Sequence, residues 1–263
     1  MKSILLAMLV LGVLGGLFGA LLAFASKIFH VETDPKQEQI RACLAGANCG
    51  GCGFPGCDGY AAAVAEGRAP TNKCVAGGAE AAAKIAGIMG VAASDTEKMV
   101  AFVPCSGTHG HAEMRFNYTG PEDCRAAMLF GGKSNKTCTF ACIGMGNCAK
   151  ACQFDAMHIV DGVAEVDRSK CVGCGACVDA CPKSIVKLIP ESQKVMPACG
   201  NMDKGAKVMK MCDFGCIGCM KCQRECPTGA ITIKDNLARI DVSLCIQCGN
   251  CAETCPRHII RKF

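Results

Sequence analysis

The chain begins with a long apolar segment. From Ser3 to Ser26 there are 24 residues without a charge, bounded by Lys2 and Lys27, which is long enough for a helix to cross a bilayer. A secretory signal peptide is the alternative, since small residues near the end of the segment resemble a cleavage site. More positive charges follow the segment than precede it. We therefore predict a single-pass helix in the cell membrane, with the bulk of the chain on the cytoplasmic side.

Three segments of different composition follow, before the repeated part of the chain begins. Residues 28–41 are polar and charged and predict a short tether. Between Gly59 and Gly90 alanine and glycine dominate, and the interruption at Ala69-Pro70 predicts two short helices. The turn-rich residues 92–132 match no module.

Short runs of strand-forming residues appear further on. His158–Val160, the turn Asp161-Gly162 and Val163–Val166 predict one strand pair, and Ala230–Lys234 with Leu237–Ile240 predict another. Cysteine-rich segments alternate with these strand pairs. This layout is typical of a small two-cluster iron-sulfur fold.

The composition explains how such small units are held together. The chain has 263 residues, of which 25 are cysteine, none is tryptophan and 5% are aromatic, so large hydrocarbon cores are not expected. Disulfides or metals stabilise small modules of this kind. On the reducing side of a membrane, metal-bound thiolates are the expected choice.

Eight cysteines recur one for one, with the same order and a constant offset, later in the chain, which indicates a duplicated metal-binding module. The first set is Cys138, Cys142, Cys148, Cys152, Cys171, Cys174, Cys177 and Cys181, and the second is Cys212, Cys216, Cys222, Cys226, Cys245, Cys248, Cys251 and Cys255.

Three runs have the spacing Cys-x2-Cys-x2-Cys-x3-Cys-Pro and begin at Cys171, Cys216 and Cys245. This is the bacterial ferredoxin signature for 4Fe-4S clusters, in which the fourth cysteine binds the other cluster of the pair. Zinc uses two pairs of ligands and disulfides need wider spacing, so neither explains the runs. The predicted groups are Cys152/Cys171/Cys174/Cys177, Cys216/Cys219/Cys222/Cys255 and Cys226/Cys245/Cys248/Cys251.

The remaining group of the first repeat is irregular, because Met145 stands where the second repeat has Cys219. A thioether is a poor ligand for a cubane iron. We therefore predict that Cys138 replaces it, in the group Cys138/Cys142/Cys148/Cys181. A three-iron cluster without one corner is the alternative.

A fifth 4Fe-4S cluster is predicted upstream, at Cys49-x2-Cys52-x4-Cys57-x16-Cys74, where intervening glycines let backbone amides approach inorganic sulfur. Zinc is the alternative at this group. Five cysteines remain, Cys43, Cys105, Cys124, Cys199 and Cys212. They are either ordinary buried residues, or Cys105, Cys124, Cys199 and Cys212 form a further cluster.

These observations predict an α+β chain of several domains. The boundaries are a transmembrane anchor at 1–27, a small mainly helical 4Fe-4S domain at 28–91, a connecting segment of unknown fold at 92–132, and two tandem bacterial-type two-cluster ferredoxin-like modules at 133–193 and 194–263.

The apolar start, the run Asn48-Cys49-Gly50-Gly51-Cys52-Gly53-Phe54-Pro55-Gly56-Cys57 with Cys74, and the ferredoxin modules together resemble the B subunit of the Rnf complex. The resemblance covers essentially the whole chain, although shorter members have one ferredoxin module. It implies a membrane-bound, ion-translocating oxidoreductase that passes electrons between reduced ferredoxin and NAD. It also implies that this chain takes electrons from ferredoxin and hands them to membrane and flavin subunits, with Cys49, Cys52, Cys57 and Cys74 holding the proximal cluster.

Other chemistries find no support in the sequence. No Gly-rich fingerprint for a dinucleotide follows a strand, so no direct NAD binding is expected. No nucleophile and base constellation and no DNA-binding helix pair is recognisable, so neither catalysis by side chains nor nucleic-acid binding is predicted. The chain itself is expected only to relay electrons. A relay subunit of a membrane-associated hydrogenase or reductase is the alternative function.

Charge indicates where a partner would dock. The formal net charge of +5 becomes about −5 when five clusters of about −2 each are added. The last module nevertheless concentrates basic residues, which could steer an acidic ferredoxin or could form an ordinary solvated face. They are Lys204, Lys207, Lys210, Lys221, Arg224, Arg257, Arg261 and Lys262. We expect electrons to arrive at the ferredoxin modules and to leave through the Cys49 cluster.

Overall fold

The computed structural model describes residues 2–28, 34–92, 97–131 and 133–263. Helix α1 spans Lys2–Ile28, and apolar side chains such as Leu11 and Phe24 are exposed along it. Within these described ranges, no helix has both the length and the apolar character that crossing a bilayer requires.

A helical unit follows α1. Helix α2 (Pro35–Cys43) is capped by the Asp34 carboxylate, which accepts a hydrogen bond from the backbone N–H of Lys36 at 2.9 Å. The prediction of a tether at residues 28–41 is therefore wrong over this helix. Asp34-Pro35 is a helix start signal, with proline at the first helical position, that the prediction did not take into account. Residues 29–33 lie outside the described residues.

Two further helices, α3 (Gly56–Ala65) and α4 (Gly78–Met89), confirm the helix pair predicted from the alanine-rich stretch. Fully buried Ile40, Tyr60 and Ile85 pack their core. The Tyr60 hydroxyl donates to the Pro70 carbonyl at 2.7 Å and accepts from the Lys73 N–H at 3.0 Å. It thus holds the loop that leads to Cys74 against the helices.

The first ferredoxin-like unit begins earlier in the chain than the repeat alone suggests. Strand β1 (Met99–Phe102) and helix α5 (Cys124–Gly131) lie in the segment for which the sequence predicts no fold. Then follow α6 (Asn147–Lys150), β2 (Met157–Val160), β3 (Val163–Val166), α7 (Ala176–Ala180) and β4 (Lys187–Pro190). The antiparallel pair β2–β3 confirms the first predicted hairpin, and β1 pairs with β4.

The second unit repeats this order. It consists of β5 (Val195–Pro197), α8 (Gly205–Met209), α9 (Lys221–Arg224), β6 (Ile231–Lys234), β7 (Leu237–Ile240), α10 (Asn250–Glu253) and β8 (Ile260–Lys262). The pair β6–β7 confirms the second predicted hairpin, and β5 pairs with β8 as β1 does with β4.

The strand registers show where the two copies differ in length. Ala101 pairs with Leu188, and Val195 pairs with Lys262, so the two strand pairs are equivalent. Leu188 and Lys262 are separated by the same length of chain as the repeated cysteines, whereas Ala101 and Val195 are further apart. The first copy therefore carries an insertion between its outer strand and its first repeated cysteine, and α5 belongs to this insertion.

Candidate metal centres

Among the described residues, four cavities are each lined by four cysteines. The four sets of cysteines are Cys124/Cys142/Cys148/Cys181, Cys216/Cys219/Cys222/Cys255, Cys49/Cys52/Cys57/Cys74 and Cys152/Cys171/Cys174/Cys177. Three of these sets are those grouped from sequence. In each ferredoxin-like unit, the cysteine before a proline crosses to the other cavity.

A fifth group lies at the end of the chain. Burial, followed by the nearby thiols of Cys245, Cys248 and Cys226, raises the pKa of Cys251 to about 11. The Gln193 side-chain amide donates to the Cys245 sulfur at 3.7 Å. These four thiols are also the ones that the sequence groups together.

Short helices present one cysteine of each run to its group. Each of α6, α7, α9 and α10 starts directly after a residue with left-handed backbone, where the chain turns sharply. The second residue of each helix is then a buried cysteine. The turn residues are Gly146 (φ 79°), Gly175 (φ 85°), Met220 (φ 61°) and Gly249 (φ 83°), and the cysteines are Cys148, Cys177, Cys222 and Cys251.

The irregular site of the first unit departs from the sequence prediction. Cys124 lines the cavity with Cys142, Cys148 and Cys181, whereas Cys138 does not. The Cys138 sulfur instead accepts a hydrogen bond from the Asn201 side-chain amide at 3.2 Å. The expectation that Cys138 takes the place of the missing ligand is thus at odds with this arrangement, because a cysteine of the insertion reaches the cavity.

A local network fixes the position of Cys124. Its backbone N–H donates to the Asn147 side-chain oxygen at 2.6 Å, and the Asn147 amide donates to the Asp123 carboxylate at 2.8 Å. Asp123 also accepts from the Ala126 N–H at 2.8 Å, which caps the start of α5. Because Asn147 begins α6, this network ties Cys124 to the helix that carries Cys148. No spacing in the sequence signals the arrangement.

The environment of the thiols fits iron-sulfur clusters. Burial, followed by neighbouring thiols, raises the pKa of Cys148 to about 12 and of Cys177 and Cys222 to about 11. Such thiols stay protonated until a metal displaces the proton. Backbone N–H groups also point at sulfur, as from Ala101 to Cys171 at 3.3 Å, and such hydrogen bonds tune cluster potentials.

Four thiols around each apolar cavity are the donor set of a 4Fe-4S cluster. Among the described residues, no three His, Cys, Asp or Glu side chains converge closely enough to bind a single metal ion.

The upstream site contacts the first ferredoxin-like unit. A Cβ atom added at Gly51 would lie 3.0 Å from Cα, Cβ and the carbonyl oxygen of Cys174. The glycine therefore allows the two cysteine loops to touch. On the other side of the site, the Asn48 side-chain oxygen accepts a hydrogen bond from the Cys57 N–H at 2.8 Å and shapes the loop.

Comparisons with known protein families agree with this arrangement. Residues 44–76 match the family described as "Putative Fe-S cluster". Residues 141–185, 170–230 and 215–259 match the family described as "4Fe-4S dicluster domain". The middle match spans the junction between the two units.

Curated relatives match nearly the whole chain. The B subunit of the Na(+)-translocating ferredoxin:NAD(+) oxidoreductase complex of Acetobacterium woodii is 46% identical over 261 residues, covering 99% of this chain and 78% of the relative. The B subunit of the ion-translocating oxidoreductase complex of Methanosarcina acetivorans is 41% identical, covering 99% of both chains. The B subunit of the proton-translocating ferredoxin:NAD(+) oxidoreductase complex of Clostridium ljungdahlii is 39% identical, covering 100% of this chain and 94% of the relative.

Proposed function

The chain belongs to the family of B subunits of ion-translocating ferredoxin:NAD oxidoreductase (Rnf) complexes, and we propose that it accepts electrons from reduced ferredoxin and passes them to membrane and flavin subunits. As a member of this family it is an iron-sulfur electron-transfer subunit of an ion-translocating complex. The chain itself transfers electrons only, and the reaction with NAD belongs to other subunits.

The four cysteine groups around the cavities and the fifth group at the end of the chain are the proposed ligands of five 4Fe-4S clusters, which supply one-electron chemistry when bound. Four groups are those expected from sequence. For the irregular site we propose Cys124, Cys142, Cys148 and Cys181, because these four thiols line one cavity. A complete set of four thiolates at this site favours a 4Fe-4S cluster over a three-iron cluster.

One observation carries the proposed place of ferredoxin docking. Of all 25 cysteines, Cys219 and Cys248 are the two that are exposed, and both belong to the last unit. Leu244 and Ile246 near Cys248 are 53% and 63% exposed. Exposed ligands with an apolar rim suit a transient protein partner, since electrons need a close approach to the cluster.

The charge near Cys219 suits an acidic partner. Lys221 and Arg224 lie on exposed positions of α9, the helix that begins two residues after Cys219. Neither has a carboxylate partner among the ion pairs of the described residues. Unpaired surface cations accelerate the encounter with a negatively charged protein. The other end of the relay is proposed at Cys49, since its loop touches Cys174 through Gly51.

We also propose that residues 1–27 anchor the chain in the cell membrane as a single pass, with the remainder on the cytoplasmic side. The proposal rests on the 24 uncharged residues from Ser3 to Ser26 and on the positive charges that follow them. Carbonate extraction of membranes that contain the full chain tests it, because a chain without an anchor would be released. Protease treatment of sealed inverted vesicles tests the orientation.

The test of docking is the reduction rate of the anaerobically purified full chain by an acidic two-cluster ferredoxin. Lys221→Glu/Arg224→Glu should lower the second-order rate constant by about tenfold at low ionic strength. The matched control, Lys36→Glu/Lys84→Glu, makes the same charge change at exposed positions of the upstream helices. Added salt should shrink the difference. Equal slowing by both variants would contradict docking at the last unit.

A further inference from the structure

Four cysteines that belong to none of the five groups lie together where the two ferredoxin-like units meet. A Cβ atom at Gly107 would lie 3.8 Å from the Cys105 sulfur and 3.5 Å from the Cys212 sulfur. Asn201 contacts the other two sulfurs, those of Cys138 and Cys199. The four thiols are therefore close neighbours.

The same four residues are two equivalent pairs of the repeat. Cys138 and Cys212 each open one of the two repeated cysteine sets, and Cys105 and Cys199 follow the equivalent strands β1 and β5 at the same spacing. The Cys142 N–H donates to the Cys105 sulfur at 3.4 Å. The Cys216 N–H donates to the Cys199 sulfur, also at 3.4 Å. Each unit thus contributes two thiols in the same local geometry.

Further donors point at these sulfurs. Asn201, which is 2% exposed, donates through its side-chain amide to the Cys138 sulfur at 3.2 Å. Its backbone N–H donates to the Cys199 sulfur at 3.4 Å. A thiol is a weak acceptor, whereas a metal-bound thiolate carries charge and is a strong one. A buried amide aimed at sulfur is therefore explained better by a thiolate ligand.

Positive charges surround the group without carboxylate partners. Lys136 is fully buried and donates to the carbonyl oxygens of Gly107 and Gly162, both at 2.7 Å. Arg257 donates to the Cys212 carbonyl at 2.7 Å, and its Nε is buried without a hydrogen-bond partner. Neither side chain takes part in an ion pair among the described residues.

Burying a cation without an anion is costly. Four neutral thiols beside the fully buried Lys136 would add no negative charge to offset its own. A 4Fe-4S core with four thiolates carries about −2 in its oxidised state. Such a group would place negative charge beside Lys136.

We propose that Cys105, Cys138, Cys199 and Cys212 hold a sixth 4Fe-4S cluster that joins the two ferredoxin-like units. The site lies between Cys142 of one unit and Cys216 of the other, whose N–H groups both contact its sulfurs. It differs from the grouping considered from sequence by having Cys138 in place of Cys124. With Cys124 in the irregular site, Cys43 is the single cysteine without a proposed ligand role.

The test is iron and sulfide analysis of the full chain, purified without oxygen and loaded to saturation with iron and sulfide. Six clusters give about 24 irons per chain, and five give about 20. Cys105→Ala and Cys199→Ala should each lose between one and four irons and one redox centre in a potentiometric titration. Cys43→Ala is the matched control and should lose none.

A wild-type content of about 20 irons, with both variants unchanged, would overturn the proposal. So would stoichiometric zinc in place of the additional iron. If a variant fails to fold, the wild-type count and the number of its redox centres still decide. The result is independent of the ferredoxin experiment, because that rate depends on the docking surface and not on the cluster count.

Discussion

At the irregular site, a second substitution should restore the cluster ligand that a first substitution removes. Cys124→Ala removes one of the four thiols that line its cavity, and Met145 stands at the position that Cys219 holds in the other unit. Met145 also packs against a small hydrophobic core that contains Cys124 and Ile143. We therefore expect Cys124→Ala to lose a cluster corner, and Cys124→Ala/Met145→Cys to restore it from the ferredoxin-like position.

The size of the effect follows from the ligand count. Loss of one corner converts a four-iron into a three-iron cluster, which means about one iron fewer per chain. An oxidised 4Fe-4S cluster gives no spin-resonance signal, whereas an oxidised three-iron cluster does. Cys124→Ala should therefore show up to about one new spin per chain, and the double variant should be silent again. Because Cys124 is 9% exposed, the small cavity left by alanine should cost only about 1 kcal/mol.

The assay is low-temperature spin resonance of the oxidised full chain, with iron analysis on the same sample. Cys43→Ala serves as the control that removes a cysteine without a proposed ligand role. A silent Cys124→Ala variant with full iron content, together with a loss of the cavity's cluster in Cys138→Ala, would refute the assignment and favour the grouping derived from sequence.

Two further predictions concern the neighbourhood of the clusters. Gly51→Ala places a Cβ atom 3.0 Å from backbone atoms of Cys174 and should weaken the contact between the two cysteine loops by about 1–3 kcal/mol. The measurement is hydrogen exchange, which should become faster over residues 44–76 at unchanged iron content. Gly87→Ala, which has open space in α4, should leave this exchange unchanged, and equal exchange in both variants would contradict the contact. Lys136→Met removes a fully buried charge and should lower the reduction potential of a neighbouring cluster by on the order of 50–100 mV, which is roughly 1–2 kcal/mol for one electron. A redox titration measures this, and the exposed Lys84→Met is the control that should leave the potentials unchanged. Unchanged potentials in Lys136→Met would show that Lys136 does not compensate cluster charge.

Much of the site could be read from local spacing. Thiols separated by two residues lie close together on the chain. Each Cys-x2-Cys-x2-Cys run therefore indicates a common cluster, independently of the rest of the fold. The crossed fourth cysteines also followed, because the ferredoxin signature includes them. The hairpins were equally accessible, since Asp161-Gly162 is a turn that requires left-handed backbone, and both residues adopt it, with φ of 45° and 74°.

Other features depended on contacts far apart in the chain. Cys124 lies well before Cys142 and has no repeated counterpart, so no periodicity connects it to the cavity. Its position depends on the hydrogen bonds of Asn147 with Asp123 and with the Cys124 N–H. The pairing of β1 with β4 likewise joins the two ends of the first unit. The insertion and most cysteines of the unit lie between these strands, so composition could not predict the pairing.

The sequence by itself therefore indicated the cofactor class and the duplication and predicted the cysteine groups, because these depend on ligands close together on one turn of chain. Only the tertiary structure placed Cys124 at the cavity of the irregular site and brought Cys105, Cys138, Cys199 and Cys212 together between the units. The physical reason is that a cluster ligand needs only a thiol at the right point in space, and packing of an inserted helix or of two neighbouring units can supply it from anywhere in the chain.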